Sequence, residues 1–193
     1  MKQNIYLFFS IVLLVLLAMF VITNFNFTGR AVSYVNITIV SMASLNFTVN
    51  SINFGAGSVD FGKSNATIDT LGNVINGNWT PISTKFIIEN MGNTNLSIFL
   101  SSGETAQTLL GGTNPGYYYQ VRNYESNSCL NQKIPFNSWR PVNNTDSGDN
   151  LCSLMSFSDD NDSLSIDLML VIPSDSLIGE RTDVFTAVGI ARE

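Results

Sequence analysis

Leu164, Ile166, Leu168, Leu170 and Ile172 place an apolar residue at every second position over nine residues. A period of two puts all five on one face of a pleated strand. A helix, with its repeat of 3.6, would scatter them round its axis. The pattern recurs along the chain. Val35, Ile37 and Ile39 alternate with Tyr34, Asn36 and Thr38, and Leu45, Phe47 and Val49 alternate with Asn46 and Thr48. Phe86 and Ile88 run into Asn90-Met91-Gly92-Asn93, and Leu96, Ile98 and Leu100 follow. That order predicts a hairpin with Gly92 at positive φ. Pro173 closes the 164–172 run, because proline has no N–H for a ladder. A turn at 174–180 leads to a last strand with Val184, Thr186, Val188 and Ile190 in register. No stretch beyond residue 30 carries an apolar stripe at helical spacing. Short strands broken by Gly, Pro and Asn turns predict a mainly β chain built as a sandwich over residues 31–193.

Residues 1–30 read differently. Positions 5–22 are 18 residues with one Ser and no charge, close to the ~20 that cross ~30 Å of hydrocarbon. This predicts one N-terminal hydrophobic helix, in contact with the membrane through residues 5–22. Lys2 before it and Arg30 after it place the N-terminus in the cytoplasm and the rest outside. A cleaved signal peptide is a rival reading, although ITNFNFTGRAVS offers no A-x-A site. A helix buried in the core of a filament is a third.

Composition narrows the functions. There is no His, which removes Ser-His-Asp and Cys-His catalysis, most zinc sites and the commonest general base. Nine Lys and Arg against fifteen Asp and Glu build no phosphate footprint, so nucleic acid is not an expected partner. Charged residues are 12% of the chain, about half the usual ~25%. Sugars can supply the solubility that charges usually supply. N-x-[ST] triplets stand at Asn26, Asn36, Asn46, Asn65, Asn78, Asn95, Asn143 and Asn161, which reads as a glycosylated exterior. The plainer reading is that some of these Asn simply occupy turns, Asn95 and Asn161 above all. Asn36 and Asn46 fall on the polar parity of their strands.

Cys129 and Cys152 form an even pair in an exported chain, which predicts a structural disulfide. Residues 102–157 around them, with weaker strand patterns, are expected as a long excursion from the sandwich, pinned by that bridge. Recognition would concentrate there, as loops on a rigid scaffold usually carry it. Asp159, Asn161 and Ser163 have the 1, 3, 5 spacing of a calcium loop. Leu164 then stands where the loop needs Gly, and Val171 where it needs Glu. Ca²⁺ with help from Asp146 or Asp149 is one reading and a solvated turn the other; no other cofactor is expected. Tyr117, Tyr118 and Tyr119 could form an aromatic platform, but a strand must turn Tyr118 away from its neighbours. Asp167, on the polar parity of its strand, is expected to be solvated. Gly111, Gly112 and Gly116 lack the following Lys and helix of a phosphate loop.

Three strings carry a resemblance: NSINFGAGSVDFG (50–62), FIIENMGNTNLSIFLSS (86–102) and LMLVIPSDSLIGERTDVFTAVGIA (168–191). Together with the apolar start and the dense sequons, they resemble archaeal cell-surface proteins of pilin-like and surface-layer-like type with immunoglobulin-like β-sandwich domains. Archaeal type IV pilins share a basic leader with a cleavage motif before the apolar helix; here Met1-Lys2-Gln3-Asn4 stand in that place. The resemblance implies a structural or adhesive role with no catalytic residues. The leading expectation is therefore a non-enzymatic structural subunit of a cell-surface filament, pilus or sheath. It would polymerise with itself through strand contacts involving residues 31–49. The alternative is a monomeric, membrane-anchored extracellular binding or adhesion module that recognises its partner through 102–157.

Overall fold

The computed structural model describes the backbone over residues 2–24 and 35–192, and side chains over 4–19 and 35–192. It contains two compact units, Met1–Ile39 and Val40–Glu193. Residues 35–39 make no backbone pairing, whereas the Val40 carbonyl accepts a hydrogen bond from Asn93 Nδ2 at 3.0 Å.

In the first unit, α1 spans Lys2–Asn24. The side chains described on it, residues 4–19, are all exposed. Among the described residues no helix is long and apolar enough to cross a membrane.

The second unit is mainly β, and all its pairings are antiparallel. One sheet is built round β9 (Ser163–Pro173). On one side β9 pairs with β4 (Phe86–Asn90) through its first half and with β2 (Asn65–Asp69) through its second. β1 (Leu45–Val49) lies beyond β4, and β3 (Val74–Ile75) beyond β2. On the other side β9 pairs with β6 (Gly116–Asn123) over eight residues, and β6 pairs with β7 (Arg140–Pro141). The second sheet has β5 (Asn95–Ser102) between β8 (Asp149–Met155) and β10 (Phe185–Arg192). The short helix α2 (Ala106–Leu110) is capped by Thr105, whose Oγ1 accepts from Thr108 N.

One core joins the sheets. Ile68, Ile88, Tyr119, Val121, Leu164 and Ile166 of the first pack with Leu96, Ile98, Leu151 and Met155 of the second. Five alternating residues of β9, Leu164 to Ile172, are buried as their period of two requires. The other face of β9 is covered in its first half, and Met169 and Val171 further along are half-buried. Asp167, expected in solvent, is fully buried. Its carboxylate accepts from the Thr70 hydroxyl at 3.1 Å and lies 3.4 Å from Arg122 Nε. Periodicity reports which residues share a face; it does not report that a central strand has neighbours on both sides to cover the second face.

The expected hairpin at 86–100 is absent because its two strands belong to different sheets. Phe86–Asn90 lies in the first sheet and Asn95–Ser102 in the second, so residues 91–94 form an arch across the core. Gly92 does not have positive φ. A Cβ there would run into the Met42 carbonyl oxygen, so the position is small because the incoming chain passes against it. Likewise β9 and β10 lie in different sheets, joined by 174–184. The parity of β10 is the reverse of that expected: Phe185, Ala187 and Gly189 turn inward, and Thr186, Val188 and Ile190 outward.

The expected strand at 35–39 does not form, and Tyr34 lies outside the described residues. Residues 102–157 are no excursion. They supply α2, β6, β7 and β8, including the core residues Tyr117, Tyr119, Leu151 and Met155. Their patterns look weak because glycines, tyrosines and polar residues share these strands with the aliphatics. Cys129 and Cys152 are joined by a disulfide. Closing a loop of this length contributes about 3 kcal/mol on the chain-entropy model. It also seals the outer edge of β8, against which Leu130 N bonds Leu154 O and Ser153 N bonds Asn131 O, both at 2.9 Å.

Candidate functional site

The features with unmet bonding capacity are strand edges and one segment. β10 pairs only with β5, in unbroken register from Phe185↔Ser102 to Arg192↔Asn95. Gly103 N donates to Val184 O at 3.0 Å, so the ladder turns the N–H and C=O groups of Thr186, Val188 and Ile190 toward β5. Those of Ala187, Gly189 and Ala191 then face the open side. β1 and β10 each lie at one edge of their sheet. A cleft of about 160 Å³ is lined by Phe47, Asn50, Phe86, Asp183, Val184 and Phe185. Its aromatic wall is continuous, with ring centroids 5.6 Å apart for Phe47–Phe86 and 5.4 Å for Phe86–Phe185, and the buried Tyr117 ring lies 5.9 Å from Phe185.

Asp183 fixes the start of β10. Its carboxylate accepts from the Tyr117 and Ser102 hydroxyls and from the N–H groups of Gly103 and Val184. Burial, and then the neighbouring Asp183 charge and hydrogen bond, push the Tyr117 phenol far above its usual range. It stays a neutral donor. The Tyr119 phenol is raised in the same way, by burial first and then by its bond to Asp149. Tyr117 and Tyr119 are therefore core residues, and only Tyr118 turns to the other face. The three form no platform.

Val35, Ile37 and Ile39 are 90%, 82% and 79% exposed. They retain the alternation of a strand without a partner. From Val40 onward the chain is held: Met42 N donates to Asn93 Oδ1 at 2.6 Å, and Asn93 N to Met42 O at 3.1 Å. The alternation of 35–39 is legible in the sequence; the open edge of β10 is not, because its more hydrophobic residues, Val188 and Ile190, face outward.

The sequons divide. Asn36, Asn46 and Asn78 are exposed, while Asn65, Asn95, Asn143 and Asn161 are half-buried. Asn143 Nδ2, the atom a glycan would take, donates to Asp149 Oδ1 at 3.0 Å. Asn26 lies outside the described residues. In the acidic loop, Asn161 Oδ1 accepts from Ser156 Oγ at 2.8 Å, and Ser163 Oγ donates to Asp162. Two of the three calcium-loop side chains are thus engaged locally. Among the described residues no group of three or more acidic, Cys or His side chains comes together to hold a metal.

Asp162 has a testable consequence. Burial raises its pKa, opposed by the Ser163 hydrogen bond and reinforced by the charges of Glu125 and Glu89. A carboxyl with a raised folded-state pKa contributes most stability below its unfolded value near 3.8, and this is lost as pH rises through the folded value. At neutral pH the ionised group is a penalty. Asp162→Asn keeps an acceptor for Ser163. It should raise the melting temperature by a few degrees at pH 7 and lose that advantage at pH 4, in paired thermal melts.

No family model, curated protein or solved structure matches the chain. The functional reading rests on the chain's own residues.

Proposed function

We propose that this chain is a non-enzymatic structural subunit of an extracellular cell-surface assembly, a filament, pilus or sheath. In this reading its two-sheet unit is an immunoglobulin-like β-sandwich of a glycosylated exterior, and the apolar N-terminal segment holds it at the membrane or in a filament core. The observation that carries the reading is the segment 35–39. Alternating Val35, Ile37 and Ile39 stand in solvent with no backbone partner, in a chain whose other strands are paired. Exposed apolar β-sequence of this kind fits addition to a sheet edge of another copy, where backbone bonds give affinity and alternate side chains give register.

The test is assembly. Removing residues 31–49 would also remove β1, whose Phe47 packs on Phe86, so it cannot separate assembly from folding. Val35→Ser, Ile37→Ser and Ile39→Ser together touch only exposed side chains. In full-length protein in detergent, light scattering should show multimers of the native chain and monomers of the triple variant, with equal melting temperatures. Multimers of unchanged size from the variant, or a native chain that is monomeric at every concentration, would refute it.

A further inference from the structure

We infer that the acceptor of residues 35–39 is the open edge of β10 in a second copy of this chain, with Val35, Ile37 and Ile39 turned toward the Phe47–Phe86–Phe185 cleft. This rests on the assembly reading above and specifies its interface.

The choice of edge follows from what blocks the others. Natural sheets protect their edges with short strands, prolines, bulges or covering chain. β3 and β7 are two residues long, and β7 contains Pro141. β1 has five residues and a register shift between Phe47 and Val49, which breaks the row of donors and acceptors. The outer edge of β8 is occupied by residues 128–133, tied by the disulfide and by backbone bonds such as Lys133 N to Leu151 O at 3.1 Å. β10 has none of these devices. It is eight residues long, regular throughout, free of proline, and uncharged until Arg192. Among the described strands it is the one long edge left ready to pair.

The donor fits this edge in length and chemistry. Five residues, VNITI, match a strand of ordinary length, and three β-branched apolar residues share one parity. The open cleft beside Phe185, about 160 Å³ and lined by Asn50 and Asp183 as well as Phe47, Phe86, Val184 and Phe185, has room for one aliphatic side chain. With that parity inward, Asn36 and Thr38 lie on the outer face beside Thr186, Val188 and Ile190. A glycan at Asn36 would then point away from the joint.

Cysteine pairs test this without interference, because the native cysteines are already bonded to each other. Thr38→Cys is combined in the full-length chain with Thr186→Cys, Val188→Cys or Ile190→Cys. After mild oxidation, at least one combination should give a ladder of covalent multimers on a non-reducing gel. Thr38→Cys alone should give no more than a dimer. Val188→Lys with Ile190→Lys, both on exposed positions, should abolish multimers in light scattering without lowering the melting temperature. A ladder from Thr38→Cys with Thr48→Cys, and none with β10, would place the joint on β1 and overturn the inference while keeping the assembly reading. Ladders from Ile37→Cys in place of Thr38→Cys would overturn the facing assigned here. Multimers by light scattering with no ladder from any β10 pair would also overturn it. A native chain with no multimers would fail the assembly reading itself.

Discussion

Asn90→Ala is expected to destabilise the β unit by about 3 kcal/mol, since each buried polar group left unpaired costs roughly 1–3 kcal/mol. Asn90 is almost completely buried at the end of β4, where the chain leaves one sheet for the other. Its Nδ2 donates to Thr94 O and to Ser156 O, both at 2.9 Å, and its Oδ1 accepts from Gly92 N at 3.1 Å. One amide therefore closes the arch at 91–94 and ties it to the chain following β8. Alanine strands all three backbone groups. Aspartate is no rescue, because it has no donor for the two carbonyls and brings a charge into a buried place. Equilibrium denaturation of both variants should show midpoints well below the native one. A loss under 1 kcal/mol for alanine would mean that water replaces the amide and that the arch holds without it.

Ile166→Ala should cost about 4 kcal/mol, within the range of 2–5 for truncating a buried Ile to Ala. Ile166 is fully buried on the central strand, opposite Phe86 on one side and Val121 on the other. Close-packed neighbours on both flanks leave little room to collapse into the cavity. Ile190→Ala should cost under about 0.5 kcal/mol, as exposed substitutions do. Ile190 also sits in an alternating run, but it faces outward on an edge strand. The two variants measured by the same denaturation separate burial from pattern. Similar losses would show that the outer face of β10 is covered in the isolated chain.

The contrast between these isoleucines shows how far the amino-acid order reaches. Alternation identified β9 correctly, and also β1, β4 and β5, because each has one parity that is almost wholly aliphatic or aromatic. It misassigned β10, where Phe185, Ala187 and Gly189 form the inward set. Val188 and Ile190 outrank Ala187 and Gly189 in hydrophobicity, and the local pattern points the wrong way. It also predicted a strand at 35–39, where the pattern is present and the partner strand is not. Strand pairing is non-local, and no property of five residues reports whether an edge is near them.

The site shows the same division. The cysteine pairing followed from there being only two, and the unusual character of residues 35–49 was evident from their alternation. The acceptor edge was not visible. It is defined by what fails to cover it, and the covering of β8 depends on a loop that looked, in sequence, like an excursion. The strands of 102–157 are hard to read in the sequence for a related reason. β6 carries tyrosines whose hydroxyls need Asp183 and Asp149, and those partners lie 66 and 30 positions away.

By itself, then, the order of residues determined that the chain beyond its apolar start is β, which parities of β9, β1, β4 and β5 are apolar, and that the two cysteines are paired. Side-chain alternation and composition are local properties, and they suffice for these. The tertiary structure decided which strands share a sheet, that the turns at 91–94 and 174–184 cross the core, that Asp167 is buried, and that β10 keeps an open edge. Each of these depends on which distant strand lies alongside, a choice made by the summed packing of the whole core.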